Sequence, residues 1–327
     1  MKKIKWGILG PGRIAEKLAV AIQQSENAEL YAVGSRSLDK AANFAKRFGA
    51  SQSYSSYEEL CSDDKLDVIY IATPHSFHCE HSMLAMKHGR NVLCEKPFAL
   101  DAGEAQKMIQ CAKDNNVFLM EAMWSRLLPG MKKVQELLAA NAIGPIKKMR
   151  ADFCFTSSPE DKPRLFEQAL GGGALLDVGI YPLTLACSFF GFPKSIEAEA
   201  DLTDKGVDAT SAYFLNFANG AKAELYSSVV KESPGQAIIE GEEGTLTIHA
   251  KAWTLQKITL KNGVEKTFDT SYEGSDYLLQ VEEVNQCLTQ GLKESSVNSF
   301  EWTMNMMKLM DDLRDKMGVN YKTGTKA

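Results

Sequence analysis

The stretch GILGPGRIA, residues 7–15, decides the fold. It follows directly on an apolar run at 4–9 and opens an amphipathic run at 13–24, so it is a strand-to-helix turn carrying Gly10-x-Gly12-x-x-Ala15. Glycines at such a turn let the backbone approach a pyrophosphate. The N–H groups of the helix start, at Arg13 and Ile14, offer free donors and a partial positive charge. An ordinary glycine-rich turn would share the pattern. Placement inside a strand–helix–strand unit of about 30 residues favours dinucleotide binding.

Outward from that turn, apolar runs at 29–34, 68–72, 91–94 and 117–120 alternate with helical patterns at 38–48, 77–87 and 102–113. This rhythm, with near-continuous apolar strands, predicts a doubly wound parallel sheet. After about residue 122 the pattern changes. A helix is expected at 131–140, a long strand at 146–155 and a helical segment at 173–189. Runs at 195–200, 209–217, 221–230, 236–240 and 245–249 follow, the later ones separated by hairpin-type turns, and helices at 277–289 and 300–316 close the chain. The expected fold class is α/β, with a Rossmann domain at 1–121 followed by an α+β domain at 122–327 with a large, mostly antiparallel sheet.

The chain has 327 residues, a formal charge of −5 and seven cysteines. With a pI near 5.7 it gives no reason to expect a nucleic-acid partner, whose phosphates require a basic face. No apolar run is read as approaching the roughly 18 residues that span a bilayer, so no membrane partner and no signal peptide are expected. The cysteines are scattered without a C-x-x-C pair, which suggests a reduced, cytoplasmic set. His75, His78, Cys79 and His81 crowd one stretch, yet no second ligand pair follows, and no metal is expected.

The end of the second strand reads Val33-Gly34-Ser35-Arg36-Ser37, without the acidic residue that accepts from an NAD ribose. Ser35 can hydrogen-bond a 2′-phosphate and Arg36 can pair with it in forked geometry, so NADP(H) is expected over NAD(H). Arg36 as a solvated loop charge is the plain alternative. Ligands of open α/β sheets lie outside the carboxyl ends of the strands. Two further loops therefore belong to the cofactor: Thr73-Pro74-His75-x-x-His78, and Glu95-Lys96-Pro97.

These elements, in this order, resemble the family named for glucose–fructose oxidoreductase, inositol dehydrogenase and MocA. Leu119-Met-Glu-Ala-Met-Trp124-Ser-Arg126 and Gly171-Gly-Gly-Ala-Leu-Leu-Asp177-Val-Gly179-Ile-Tyr181 resemble its dihydrodiol dehydrogenase and NADP-dependent D-xylose dehydrogenase branch. Many family members carry histidine where Tyr181 stands; this chain agrees with the tyrosine branch. The resemblance implies a hydride-transferring oxidoreductase acting on a sugar, polyol or cyclic diol, with Tyr181, Lys96 and Asp177 as catalytic residues. It further implies that Arg164 reaches the cofactor, that His75, Trp124, Arg126 and Tyr277 lie on the substrate side, that the Lys96–Pro97 bond is cis, and that a homodimer forms through the C-terminal sheet.

The residue chemistry supports the catalytic set. Tyrosine is a poor proton acceptor at its free pKa of about 10, and a nearby ammonium such as Lys96 favours the phenolate. Asp177 stands four residues before Tyr181, on the same face if both lie in one α-helix. Pro182 tests that condition, because the helix must either kink there or begin there. Taken singly, Lys96 reads equally well as a surface lysine, Tyr181 as a core aromatic and Asp177 as a helix-start residue. Two other functions fit the same fold: a non-catalytic NADP-binding regulator, and a glycoside-cleaving relative that uses its nicotinamide transiently.

Overall fold

The computed structural model describes residues 3–321, which form two compact units. The first takes the chain to Trp124 together with Glu273–Met307; the second takes Ser125–Tyr272 and the chain from Lys308 onward. This differs from two contiguous blocks divided after residue 121.

The first unit contains β1 (Ile4–Leu9), α1 (Arg13–Gln24), β2 (Ala28–Gly34), α2 (Leu38–Phe48), β3 (Gln52–Tyr54), α3 (Tyr57–Ser62), β4 (Val68–Ile71), α4 (His78–Lys87), β5 (Asn91–Cys94), α5 (Ala102–Asp114) and β6 (Leu119–Glu121). All the strand pairs are parallel, in the order β3-β2-β1-β4-β5-β6. β4 is fully buried and β5 is buried after its first residue, as continuous apolar runs require when helices cover both faces. β3 and α3 escaped the sequence reading because β3 is a short edge strand of half-exposed, mostly polar residues.

The returning segment supplies α8 (Leu278–Thr289), which packs on α1. The Trp6 indole N–H donates to Asn285 at 3.1 Å, and the Asn285 amide donates to Ser25 at 3.3 Å. All three residues are buried, so this unit's core is completed by residues more than 250 positions away in sequence.

The second unit holds α6 (Pro129–Ala139), β7 (Ile146–Cys154), α7 (Ile180–Phe190), β8 (Ser195–Leu202), β9 (Asp208–Asn216), β10 (Lys222–Ser228), β11 (Ala237–Gly241), β12 (Thr245–Ile248), β13 (Lys257–Lys261) and β14 (Glu265–Asp269). Its sheet runs β14-β13-β12-β11-β7-β10-β9-β8, antiparallel except for the β10–β7 pair. β13 and β14 had no counterpart in the expected strands. β14 is almost wholly exposed and charged, the dress of a protected edge, and so lacks the alternation by which strands are recognised. α9 (Phe300–Met317) begins in the first unit and ends in the second.

One segment, Gln168–Phe190, is long and apolar enough to cross a membrane by length and composition, contrary to the expectation that no such run exists. Most of its apolar window, 78%, is buried inside the protein, as in a core segment. The helical stretch expected at 173–189 is two structures in series: a π-turn at Leu175–Gly179, then α7. Gly179 and Ile180 keep right-handed helical backbone, so Pro182 lies inside a continuous helical run, just past the widened π-turn.

Candidate functional site

In the first unit, the loops after β1, β4 and β5 leave the carboxyl ends of adjacent strands. Gly10 has φ +94°, and a Cβ there would come within 3.1 Å of Thr73 Cγ2 and 3.2 Å of the Ala72 carbonyl oxygen. Only glycine fits that conformation and that approach. Gly12 faces open space and precedes α1, whose start no side chain caps, so the first-turn N–H groups of Arg13 and Ile14 are left to a ligand or to solvent. The sole acidic residue of that turn, Glu16, pairs with Arg47 at 2.9 Å. This arrangement fits a pyrophosphate.

At the end of β2, Ser35 is buried and its hydroxyl accepts from the Ser37 amide at 3.2 Å. Arg36 is exposed beside Tyr57: burial pushes the Tyr57 phenol up, and the Arg36 charge and hydrogen bond oppose that shift. Tyr57 in turn meets the His81 ring edge-on at 4.7 Å. Burial, with the charges of His78 and Arg36, lowers the His81 pKa to about 4, so this imidazole is neutral near pH 7.

His78 ties two loops together. Its Nδ1 lies 2.8 Å from the Pro97 carbonyl oxygen and its Nε2 2.9 Å from that of Thr73. A ring protonated at both nitrogens donates to both. His75 stacks edge-on to His78 at 5.6 Å and is also buried, and Pro74 precedes the single 3₁₀ turn at His75–Phe77 that leads into α4. No group of three or more His, Cys, Asp or Glu side chains among the described residues is placed to share a metal ion.

The loop after β5 is built around a buried carboxylate. Glu95 accepts from the Tyr70 hydroxyl and, at 3.1 Å, from the Lys96 amide; burial raises its pKa, opposed by the charges of Lys96 and Lys17. The Lys96–Pro97 bond is cis, as the resemblance implied. Beyond it, the Phe98 amide donates to Glu121 at 3.1 Å, and buried Glu121 also accepts from Thr303 at 3.1 Å. Lys96 is half-buried on a turn held at both ends by buried polar groups. In the same unit Trp124 and Tyr277, both buried, stack at 5.2 Å, and the Lys17 ammonium lies over the Tyr277 ring at 5.5 Å.

The second unit gathers a different set. Arg164 donates to Asp177 at 2.7 Å. Asp177 sits in the π-turn and Tyr181 in the first turn of α7, so their four-residue spacing is not that of a regular α-helix. The Arg164 contact orients Asp177 instead. π-turns inside helices recur at functional sites. Tyr181 is buried against Phe153 at 5.4 Å, and Phe153 stacks face to face on Trp253 at 3.5 Å. Trp253 is partly exposed and flanked by Lys251 and Leu255, both with positive φ (62° and 48°). Non-glycine residues in that region store strain. Arg126 belongs to this unit, half-buried in a short 3₁₀ turn.

Tyr70, Glu121, Phe153 and Trp253 were not legible as site residues. Tyr70 and Phe153 hide in strands whose pattern explains an aromatic residue fully. Glu121 ending an apolar strand was the one available signal, since a buried acid at a strand's carboxyl end needs a partner.

Comparison with known proteins now decides the family. A family model described as "Oxidoreductase family, NAD-binding Rossmann fold" matches residues 4–123, and one described as "GFO/IDH/MocA C-terminal domain" matches residues 131–247. The chain belongs to the Gfo/Idh/MocA oxidoreductase family. It is 36% identical over 329 residues to trans-1,2-dihydrobenzene-1,2-diol dehydrogenase of Xenopus tropicalis, covering 97% of this chain and 99% of that protein. It is 33% identical over 327 residues to the scyllo-inositol 2-dehydrogenase (NADP(+)) IolU of Bacillus subtilis, covering 97% and 98%. Among solved structures, a 3-ketoreductase from Actinomadura kijaniata in complex with NADP and TDP-benzene shares the fold at TM-score 0.88 and 24% identity, covering 97% and 98%. An aldose-aldose oxidoreductase from Caulobacter crescentus does so at TM-score 0.87 and 22% identity, covering 96% and 97%. The chain is an NAD(P)-dependent oxidoreductase of the CH–OH type.

Proposed function

We propose that this Gfo/Idh/MocA member transfers hydride between NADP(H) and a hydroxyl-bearing carbon of a sugar, polyol or cyclic diol. Tyr181 is its acid/base, and Lys96 is that residue's electrostatic partner. The observation that carries the reading is the Lys96 turn: its backbone is held by buried Glu95, Glu121 and His78 at the carboxyl end of a nucleotide-binding sheet, with the lysine half-buried on it. A lysine with a merely solvating role needs no such scaffold.

Bound nicotinamide supplies the hydride acceptor. On alcohol oxidation the Tyr181 phenolate takes the hydroxyl proton as hydride departs, and in reduction the phenol returns it. The Lys96 ammonium favours the phenolate and stabilises negative charge on the substrate oxygen. Asp177, held by Arg164, orients the reacting groups. The Phe153–Trp253 stack offers an apolar wall beside Tyr181 for the face of a ring.

NADP preference is supported by Ser35 and Arg36 at the end of β2, where no carboxylate stands to repel a 2′-phosphate. A homodimer through the eight-stranded sheet is supported by one row of that sheet. Phe214, Glu224, Arg150 and Ile238 are successive cross-strand partners, so they share a face, and Phe214 is 38% exposed there. Seven free, buried cysteines accord with a reducing, cytoplasmic setting.

The test is absorbance at the reduced-nicotinamide band with a panel of polyols, aldoses and cyclic diols, in both directions, using NADP and NAD. Turnover with NADP favoured is expected. Tyr181→Phe and Lys96→Ala should each lower kcat at least a hundredfold with NADP binding within about threefold. Near-normal turnover in either variant removes the mechanism. NADP binding without turnover identifies a regulator, and sugar release without net cofactor change identifies a glycoside-cleaving enzyme.

A further inference from the structure

The buried polar groups of the second unit gather beneath one segment, the π-turn that carries Asp177. Asp208, at the start of β9, is fully enclosed. Its Oδ2 accepts from the Leu175 amide at 2.7 Å and from the Ser211 hydroxyl at 2.7 Å, while Oδ1 has no hydrogen-bond partner among the described residues. That oxygen lies against Gly173, where φ is +113° and a Cβ would come within 2.1 Å of it. Further along β9, the Tyr213 hydroxyl is hydrogen-bonded to Ser227 at 2.7 Å and abuts Gly179, where a Cβ would stand 2.5 Å away. The Tyr321 hydroxyl donates to the Gly172 carbonyl. Both ends of the π-turn are therefore seated on polar side chains of β9, with backbone close enough that glycine alone fits.

A buried carboxylate with one idle oxygen is a costly way to cap a turn. Burial pushes the Asp208 carboxyl up to about 6, opposed by Ser211, the Leu175 amide and the Arg314 charge.

We propose that Asp208 is a positioning residue of the reaction: by holding the Leu175 amide and Gly173 it fixes the π-turn, and with it the orientation of Asp177 and Tyr181. The consequence for turnover rests on the reading of Tyr181 as acid/base. The role itself concerns the conformation of residues 173–181.

Asp208→Asn leaves an acceptor of the same size, Asp208→Ala removes it, and Ser211→Ala removes one of its two donors. In Asp208→Ala, kcat should fall at least tenfold with NADP affinity within twofold. Amide exchange in 173–181 should accelerate at least tenfold while the β10–β7 pair keeps its protection. Asp208→Asn should recover kcat to within about threefold of the parent, and Ser211→Ala should show the same split at a smaller scale, roughly threefold in kcat. The proposal is overturned if kcat and exchange in 173–181 stay within twofold of the parent in Asp208→Ala. If that variant does not fold, the same result in Ser211→Ala decides. Loss of kcat, NADP affinity and protection throughout the second unit together also overturns it, as a purely structural role. Should the parent protein turn over no polyol, aldose or cyclic diol, the reading of Tyr181 falls, and the exchange measurement alone judges Asp208.

Discussion

A lysine on a solvated loop samples many rotamers and makes a poor electrostatic partner. Lys96 leaves from a fixed backbone: Glu95 before it is anchored by the Tyr70 hydroxyl, and the chain after it by His78 and Glu121. Tyr70→Phe removes the hydroxyl donor to a buried carboxylate. It should lower stability by about 1–3 kcal/mol, read as a shift in denaturant midpoint, and lower kcat through the misplaced turn. Arg36→Ala should weaken NADP binding at least tenfold and leave NAD binding within about twofold, measured by titration of each cofactor. Equal losses for both would remove the 2′-phosphate assignment. Gly10-x-Gly12 and Glu95-Lys96-Pro97 were visible in advance as local motifs at strand ends, whereas the cis bond came only from the family resemblance. Tyr70, Phe153 and Asp208 were not, since a buried tyrosine, phenylalanine or strand-start aspartate reads locally as ordinary structure and gains meaning only from partners distant in sequence.

At the scale of elements, the contrast lies between helix presence and helix type. The apolar pattern over 173–189 indicated a helix, and Pro182 offered a kink or a start; the structure instead runs helically through Pro182 and places a π-turn at Leu175–Gly179 just before it. Its geometry depends on what β9 presents from below, which no local pattern encodes. Asp208 gives that element a pH signature. Its carboxyl is raised from 3.8 to about 6, so the folded state holds the proton more tightly than the unfolded chain. Stability is then greatest below the unfolded value and falls as pH rises through about 6, by up to about 3 kcal/mol. The charged or titratable groups facing it are Arg314 from α9, Tyr213 from β9 and Tyr321. Asp208→Asn should therefore gain on the parent between pH 4 and pH 8 in paired thermal melts. A constant difference would show that Asp208 does not titrate in that window. β13 and β14 mark the opposite limit of legibility, because a charged edge strand is shaped by avoiding partners rather than by packing.

At the scale of the molecule, the proposed sheet-face dimer makes a direct mass prediction. Sedimentation should give about twice the 36.1 kDa chain mass, and Phe214→Lys should shift it toward the single chain with the melt of the second unit retained. A single-chain mass for the parent protein would remove the dimer. The two-part architecture was readable from the change of rhythm near residue 122; the return of residues 273–307 to the first unit was not, because an amphipathic helix does not declare which core it completes. That return has a consequence for synthesis. While the ribosome is still making the large sheet, the nucleotide-binding half lacks α8, Trp6 lacks Asn285, and β6 lacks the Lys293 carbonyl that accepts from Leu119 at 3.1 Å. An emerging chain of 124 residues should be protease-sensitive, and become resistant only when residues 273–307 have been added, on the same chain or as a separate peptide. The half that is synthesised first cannot complete its core until the whole of the large sheet, and residues 273–307 after it, have been made.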